Sequence, residues 1–453
     1  MSNALPRRGF LATLAAGAAT GLAWPRELTA LRTALGTASG KETTAGSDGA
    51  NASLGAHGSD GAHGSDGAAS SLSAHGGARE GLWETVRTAF HLAPDRIYLN
   101  VGTLGAQPRV VVDALLEHTR RVAETHPPGV DWDALKAPLG ALLGADPAGF
   151  VFPRNTTEGM SFVANGLELG PGDEIVTTDH EHIGGRCPWE LVAARHGATL
   201  RFATLPVPPT DTGQLLDAIR GALTPATRVL SVSHVTFTNG AVLPIRELGG
   251  LCRERGIIFV VDGAHPPGLM PVDISATGAD FYASSPHKWL LAPQGTGFLW
   301  MAERWRTELW PTLASGGWDD LSLGAHRFNH LGTFDESRMA GLVAALSFLE
   351  TIGFERVHAR IRELRRRLLE GLAELPGVRI VSPLDDELGA GMVSFTVDGL
   401  EGLELQRTLG TANVRTRVIS EGERGWMRLS PHVWVLEAEL DRVLALVGEA
   451  ARR

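Results

Sequence analysis

From Trp83 onward, short apolar runs of strand character alternate with amphipathic helical stretches, and this alternation restricts the fold more than any other feature of the chain. The runs lie at residues 149–152, 174–177, 199–202, 228–231, 257–261, 280–282 and 297–301. Helical periodicity occupies most of the intervals, at 158–167, 188–196, 214–222 and 245–255. Strands separated by helices cannot be joined by tight hairpins. The pattern therefore predicts an α/β fold whose large domain, residues 101–335, is a mainly parallel seven-stranded sheet covered on both faces, with ligands at the carboxyl ends of its strands. After Arg338 the texture changes: long helices at 338–353 and 355–375 precede short strands near Val378, Met392, Val414 and Met427, then a last helix from Leu436. Residues 336–453 read as a smaller α+β domain, and residues 80–100 as an N-terminal segment.

The first 79 residues do not share this pattern. Arg7-Arg8-Gly9-Phe10-Leu11 precedes an Ala/Gly/Leu stretch ending near Trp24, too short for a membrane-spanning helix but suited to an export signal. The pair resembles a twin-arginine signal, with Pro6 where Ser or Thr is usual and no clean A-x-A cleavage site. Residues 1–40 are read as signal and leader, which places the mature protein in the periplasm or outside the cell and free of a membrane anchor; a leader without signal function would leave it in the cytoplasm. Within residues 41–79, Gly-Ser-Asp-Gly-Ala recurs at Gly46, Gly58 and Gly64, interspersed with His57, His63 and His75. Such a composition buries too little apolar surface to offset its ordering entropy and reads as a flexible tether.

A formal charge of -10 argues against a nucleic-acid partner, because the arginines are scattered or lie on helices, as at 360–367, rather than forming a stripe. The 360–367 run reads as a solvated helix face. Cys187 and Cys252 are far apart and lack metal-ligand spacing, so no metal site is expected.

Lysine is rare here: Lys41, Lys136 and Lys288 are the three, against 38 arginines (41 basic residues less three). Lys288 stands in Ser285-Pro286-His287-Lys288. An amine, unlike a guanidinium, can lose its proton and condense with an aldehyde, so a lysine retained among arginines is a candidate for covalent catalysis. Three further segments follow strands. Val260-Val261-Asp262-Gly263-Ala264-His265 ends an apolar strand in an acid, which is costly unless it meets a cation or donor. Phe152-Pro153-Arg154-Asn155-Thr156-Thr157 places an N-cap and hydroxyls at a helix start, fit either for plain capping or for an anion. Asp179-His180-Glu181-His182-Ile183-Gly184-Gly185 offers His180 and His182 as metal ligands, or an imidazole above a flat aromatic ligand with glycines allowing close approach.

Together these motifs resemble the class V aminotransferase branch of the pyridoxal 5'-phosphate (PLP) enzymes, of fold type I, over roughly residues 80 to 453. The segments Leu99-Asn100-Val101-Gly102-Thr103-Leu104-Gly105, Asp262 to Gly268 and His287-Lys288-Trp289-Leu290 are similar to those of isopenicillin-N-epimerase-like members. The resemblance implies that Lys288 carries the cofactor and acts as general base, that Asp262 pairs with the pyridine nitrogen and that His182 stacks on the ring. It places Thr156, Thr157, Ser285 and His287 at the phosphate and His265 near the ring 3'-oxygen. Thr333 matches a residue donated to the partner's phosphate in family homodimers. Arg428 matches the clamp on the substrate carboxylate, with Arg415 and Arg417 as helpers. By this likeness an amino acid forms an external aldimine and Lys288 removes its α-proton. Epimerisation, transamination and elimination, including carbon–sulfur lyase chemistry, all stay open, as does a catalytically idle exported binder. Two departures from the desulfurase pattern stand out. No cysteine precedes Arg428 where desulfurases place their nucleophile, and Phe237 stands where they carry an asparagine that touches the cofactor.

Overall fold

The computed structural model describes residues 80–126, 129–329 and 332–452; the leader, the tether and the twin-arginine pair lie outside them. In chain order the strands are β1 (Ile97–Tyr98), β2 (Phe150–Val151), β3 (Glu174–Thr178), β4 (Thr199–Ala203), β5 (Thr227–Ser233), β6 (Ile258–Asp262), β7 (Phe281–Ser284), β8 (Phe298–Met301), β9 (Val378–Ile380), β10 (Val393–Val397), β11 (Val414–Arg415), β12 (Arg417–Ile419) and β13 (Trp426–Leu429).

All seven expected large-domain strands form, in one sheet of order β2-β8-β7-β6-β5-β3-β4. The pairs between β4 and β7 are parallel, and β8 alone runs against its neighbours β7 and β2. Apart from the edge strand β4, exposed at Thr199, Arg201 and Phe202, the sheet is buried on both faces because its strands are apolar at consecutive positions. Val260 belongs to the core beneath the helices Thr156–Gly166 and Ile183–His196, whereas Phe259 and Val261 belong to the larger core shared with the helices Thr212–Ala222 and Ile245–Arg255. The period of two in side-chain direction thus divides each strand between two hydrophobic layers.

The C-terminal part is an antiparallel sheet of order β12-β13-β10-β9 with the helices Phe354–Ala373, Gly402–Thr411 and Glu437–Ala451. Here β11 departs from expectation. It leaves this sheet and pairs in parallel with β1, so residues 80–100 dock onto the C-terminal part rather than standing apart. Asn100 bridges to Ser430, and the Trp434 indole donates to the Tyr98 carbonyl at 3.0 Å. The helix Arg109–Thr125 packs on the helix Ser337–Ile352.

The solvated-face reading of residues 360–367 is overturned for two of its members. Arg360 and Arg365 are buried within the helix Phe354–Ala373. Arg360 reaches Glu80 at 2.9 Å and the Val435 carbonyl at 3.2 Å, and Arg365 reaches Asp386 at 2.9 Å and the Pro383 carbonyl at 2.5 Å. Heptad-like spacing of Val357, Ile361, Leu364 and Leu368 fixes the inward face, but these two guanidiniums lie beside that face and tie it to neighbouring segments. Among the described residues no single helix is long and apolar enough to cross a membrane.

Candidate active site

The carboxyl ends of β5, β6 and β7 open onto a cavity of about 230 Å³. β6 ends in Asp262 and β5 in Ser233, and the chain leaving β7 turns through Ser285 and His287 to Lys288; all five residues line the cavity. Parallel strands deliver their last residues to one rim, which is how positions as far apart in sequence as Ser233 and Lys288 meet there.

Lys288 is enclosed. Burial lowers its pKa to about 8, Asp262 opposes this, and the Arg428 and Arg417 guanidiniums reinforce it. Its Nζ lies 3.4 Å from His265 Nε2. Asp262 is buried as well; desolvation raises its pKa, while Lys288 and the Ala264 N–H, 3.0 Å from Oδ1, pull it down. An amine poised near neutrality beside a carboxylate suits proton transfer.

One wall is a helix start. Asn155 caps the helix Thr156–Gly166 by accepting from the Glu158 N–H at 2.9 Å. Ser285 Oγ accepts from the Thr156 N–H at 3.0 Å and shares a 2.7 Å hydrogen bond with Thr156 Oγ1. With Thr157, these hydroxyls gather at a positive helix end, the environment an anion needs. His287 Nδ1 donates to the Thr296 carbonyl at 3.0 Å, and burial, aided by Lys288, lowers its pKa to about 4.

His182 caps the next helix, its Nδ1 accepting from the Gly184 N–H at 3.1 Å, so the neutral ring carries its proton on Nε2. Burial, then Lys288, lowers its pKa to about 3. The ring stands edge-on to Phe237, with centroids 5.0 Å apart. The glycines after it are a packing requirement: a Cβ on Gly184 would lie 2.2 Å from Thr157 Oγ1, and one on Gly185 2.7 Å from Asp262 Oδ2. His180 faces elsewhere, with Nδ1 bonded to Thr238 Oγ1 at 2.5 Å, so the two histidines do not converge on one point.

Of the three arginines, Arg417 is the one that lines the cavity. Its guanidinium sits 5.4 Å from the Phe237 ring centre and pairs with Glu421 at 2.5 Å. Arg428, on β13, is fully buried just behind Gly102, where a Cβ would sit 2.9 Å from its Nη2. It donates to the Phe237 carbonyl at 2.7 Å and to Asn100 Oδ1 and Thr103 Oγ1 at 3.3 Å each, while its Nε has no partner. Arg415 is exposed on β11 and outside the cavity lining. Thr333 is exposed and lies away from its own chain's cavity.

Sequence reasoning missed Glu181. This buried carboxylate accepts from Thr178 Oγ1 at 2.7 Å, Ser233 Oγ at 2.5 Å and the Ser233 N–H at 3.1 Å, joining the ends of β3 and β5. Burial raises its pKa to about 7, with Asp262 adding to the effect. Its place in the His180-Glu181-His182 run was the available signal, but the run was read for its histidines. Neither cysteine lines the cavity: Cys187 is exposed on the helix Ile183–His196, and the buried Cys252 thiol is pushed up to about 12 by desolvation.

These groups fit PLP. Hydroxyls and N–H groups collect at a helix N-terminus for its phosphate, Asp262 is buried and waiting for a cationic ring nitrogen, a neutral imidazole can lie over the ring, and the rare lysine faces its aldehyde. Comparison with known proteins agrees. The family model "Aminotransferase class-V" matches residues 132–433. The chain is 34% identical to isopenicillin N epimerase of Streptomyces clavuligerus over 394 residues, covering 81% of this chain and 99% of that protein. It is 32% identical to probable cysteine desulfurase 2 of Mycobacterium leprae, covering 71% and 81%. Among solved structures it is similar to C-DES with glycine covalently linked to the PLP cofactor, at a TM-score of 0.72 and 27% identity, covering 80% of this chain and 99% of that one. This chain therefore belongs to the class V aminotransferase family and is a PLP-dependent enzyme.

Proposed function

We propose that the protein acts on the α-carbon of an amino acid by proton transfer through Lys288. The observation that carries this reading is the placement of the Lys288 amine in the cavity with Asp262, 3.4 Å from His265 Nε2, where desolvation lowers its pKa to about 8. When bound, PLP supplies an electron sink that makes the α-hydrogen of an attached amino acid acidic. The chain's own residues do the rest. Lys288 Nζ takes and returns the proton; Asp262, held by the Ala264 N–H, would keep a proton on the ring nitrogen of the bound cofactor. Thr156, Thr157, Ser285 and His287, which line the cavity, would hold the phosphate, and His182 would lie against the ring. Arg428 grips the substrate carboxylate, with Arg417 as the second cation at that end.

The relatives include both an epimerase and desulfurases. Persulfide chemistry requires a thiolate at the substrate sulfur, and neither cysteine lines this cavity, which disfavours desulfuration and leaves epimerisation, transamination and thiol-independent elimination. Incubating amino acids with the holoenzyme in deuterated water tests the reading. Solvent deuterium at the α-carbon is expected, with chiral analysis and keto-acid assay separating epimerisation from transamination; sulfide release without α-exchange would favour the lyase alternative.

A homodimer with shared sites is part of the proposal, supported by the exposed Thr333 and by exposed apolar side chains close to it in sequence, Trp310, Leu313, Trp318 and Leu321. Export by the twin-arginine route is proposed from Arg7 and Arg8. Changing both to Lys should hold a fused reporter in the cytoplasm, and unaltered export would refute it.

A further inference from the structure

The residue after the catalytic lysine is Trp289, fully buried, whose indole N–H donates to His265 Nδ1 at 3.0 Å. An indole nitrogen only donates, so His265 Nδ1 must present a lone pair. A neutral imidazole has one proton, which is thereby placed on Nε2. That nitrogen faces Lys288 Nζ at 3.4 Å. If His265 Nε2 donates there, Nζ accepts, and only a deprotonated amine has the lone pair to do so. An imidazolium at His265 would break the indole bond, since both nitrogens would then carry protons.

From this chain of donors we infer that Trp289 sets the protonation state of Lys288 by fixing His265 as the Nε2–H tautomer. Trp289 is a positioning residue: it acts on the lysine through His265. The inference rests on the reading of Lys288 as the base and adds to it the device that keeps the base unprotonated. It also bars His265 from serving as a second base, because its only free nitrogen is a donor. Trp289 is itself held rigidly. Its carbonyl accepts from His432 Nε2 at 3.2 Å, and a Cβ on Gly391 would come within 2.8 Å of its ring. The indole is thus anchored by the C-terminal part while it addresses a histidine of the large domain. The other charged or titratable groups around Lys288 are Asp262 at the end of β6, Arg417 on β12, Arg428 on β13, and His182 and His287. Asp262 favours the ammonium form, the arginines oppose it, and the histidines are neutral.

Two measurements on the full-length protein test this. In holoenzyme labelled with ¹⁵N-histidine, two-bond proton–nitrogen correlation should show His265, assigned through His265→Gln, as the neutral Nε2–H form at pH 7. A neutral Nδ1–H form or an imidazolium would overturn the proposal without any further variant. Trp289→Phe removes the donor and keeps an aromatic ring. It should release His265 to the Nδ1–H tautomer, whose Nε2 lone pair accepts from the ammonium. The labelling pKa of Lys288, read after cofactor removal with fold checked by circular dichroism, should then rise by about one unit. An unchanged tautomer, or a changed tautomer with an unchanged lysine pKa, defeats the coupling. If Trp289→Phe does not fold, the spectrum of the parent still decides. Should the holoenzyme exchange no α-hydrogen, the functional reading fails while the tautomer result stands independently.

Discussion

At the scale of single residues, the site works by opposing burial against charge. Asp262 is expensive to ionise where it sits, and a protonated pyridine nitrogen is what would make that ionisation favourable. Asp262→Ala should therefore still carry the cofactor, with its visible absorption shifted, yet lose turnover by roughly 100-fold or more; near-normal turnover in that variant would end the electron-sink role. Arg428 makes a second case. It already donates to three protein acceptors, so its planar fork is held in place before a substrate arrives. Arg428→Lys keeps the charge without the fork, and KM is expected to rise about tenfold while cofactor occupancy is unchanged. If that variant matches the parent and Arg417→Lys does not, the carboxylate is held by the cavity-lining Arg417. The chemical identities at these positions were legible in the sequence. Which guanidinium faces the cavity was not, because Arg415, Arg417 and Arg428 differ only in how β11, β12 and β13 are paired.

Among the secondary-structure elements, strand ends matter most. β3 and β5 are joined below the cavity by Glu181, which accepts from Ser233, a cavity residue. With its pKa raised from 4.5 to about 7, this carboxylate binds its proton more tightly folded than unfolded. Its contribution is therefore fullest at low pH and is lost as pH rises from about 4.5 to 7, by at most about 3 kcal/mol. Glu181→Gln removes that titration. The stability advantage of parent over variant, from denaturant midpoints, should shrink as pH climbs through this window; a gap independent of pH would show that Glu181 is ionised throughout. The strands themselves were visible as apolar runs, and the helix Ile245–Arg255 was placed to the residue. Glu181 escaped notice because an acid in a loop ordinarily faces water. Only the convergence of β3 and β5 buries it.

For the whole molecule, the exposed Thr333 belongs to a site only if a second copy supplies one. Among the described residues, none of those lining the cavity comes from the segment around Thr333. Light scattering should give a mass near twice the 48.1 kDa of the chain, reduced by any leader removed. In such a dimer Thr333→Ala should weaken PLP retention about tenfold, the loss expected for one hydrogen bond to a charged phosphate. A monomer that retains PLP normally would refute the shared-site arrangement.

Sequence alone determined the class of sheet, through local periodicity, and singled out Lys288, Asp262, His182 and the Thr156 helix start, whose proposed roles rest on their resemblance as a set to one family. Tertiary structure decided the rest. Parallel pairing brought the ends of β5, β6 and β7 to one rim, pairing of β1 with β11 carried residues 80–100 onto the C-terminal part, and burial turned Arg360, Arg365 and Glu181 from surface charges into interior contacts. These outcomes rest on which segments lie side by side over long sequence distances, and the desolvation that follows has no signature in the local order of residues.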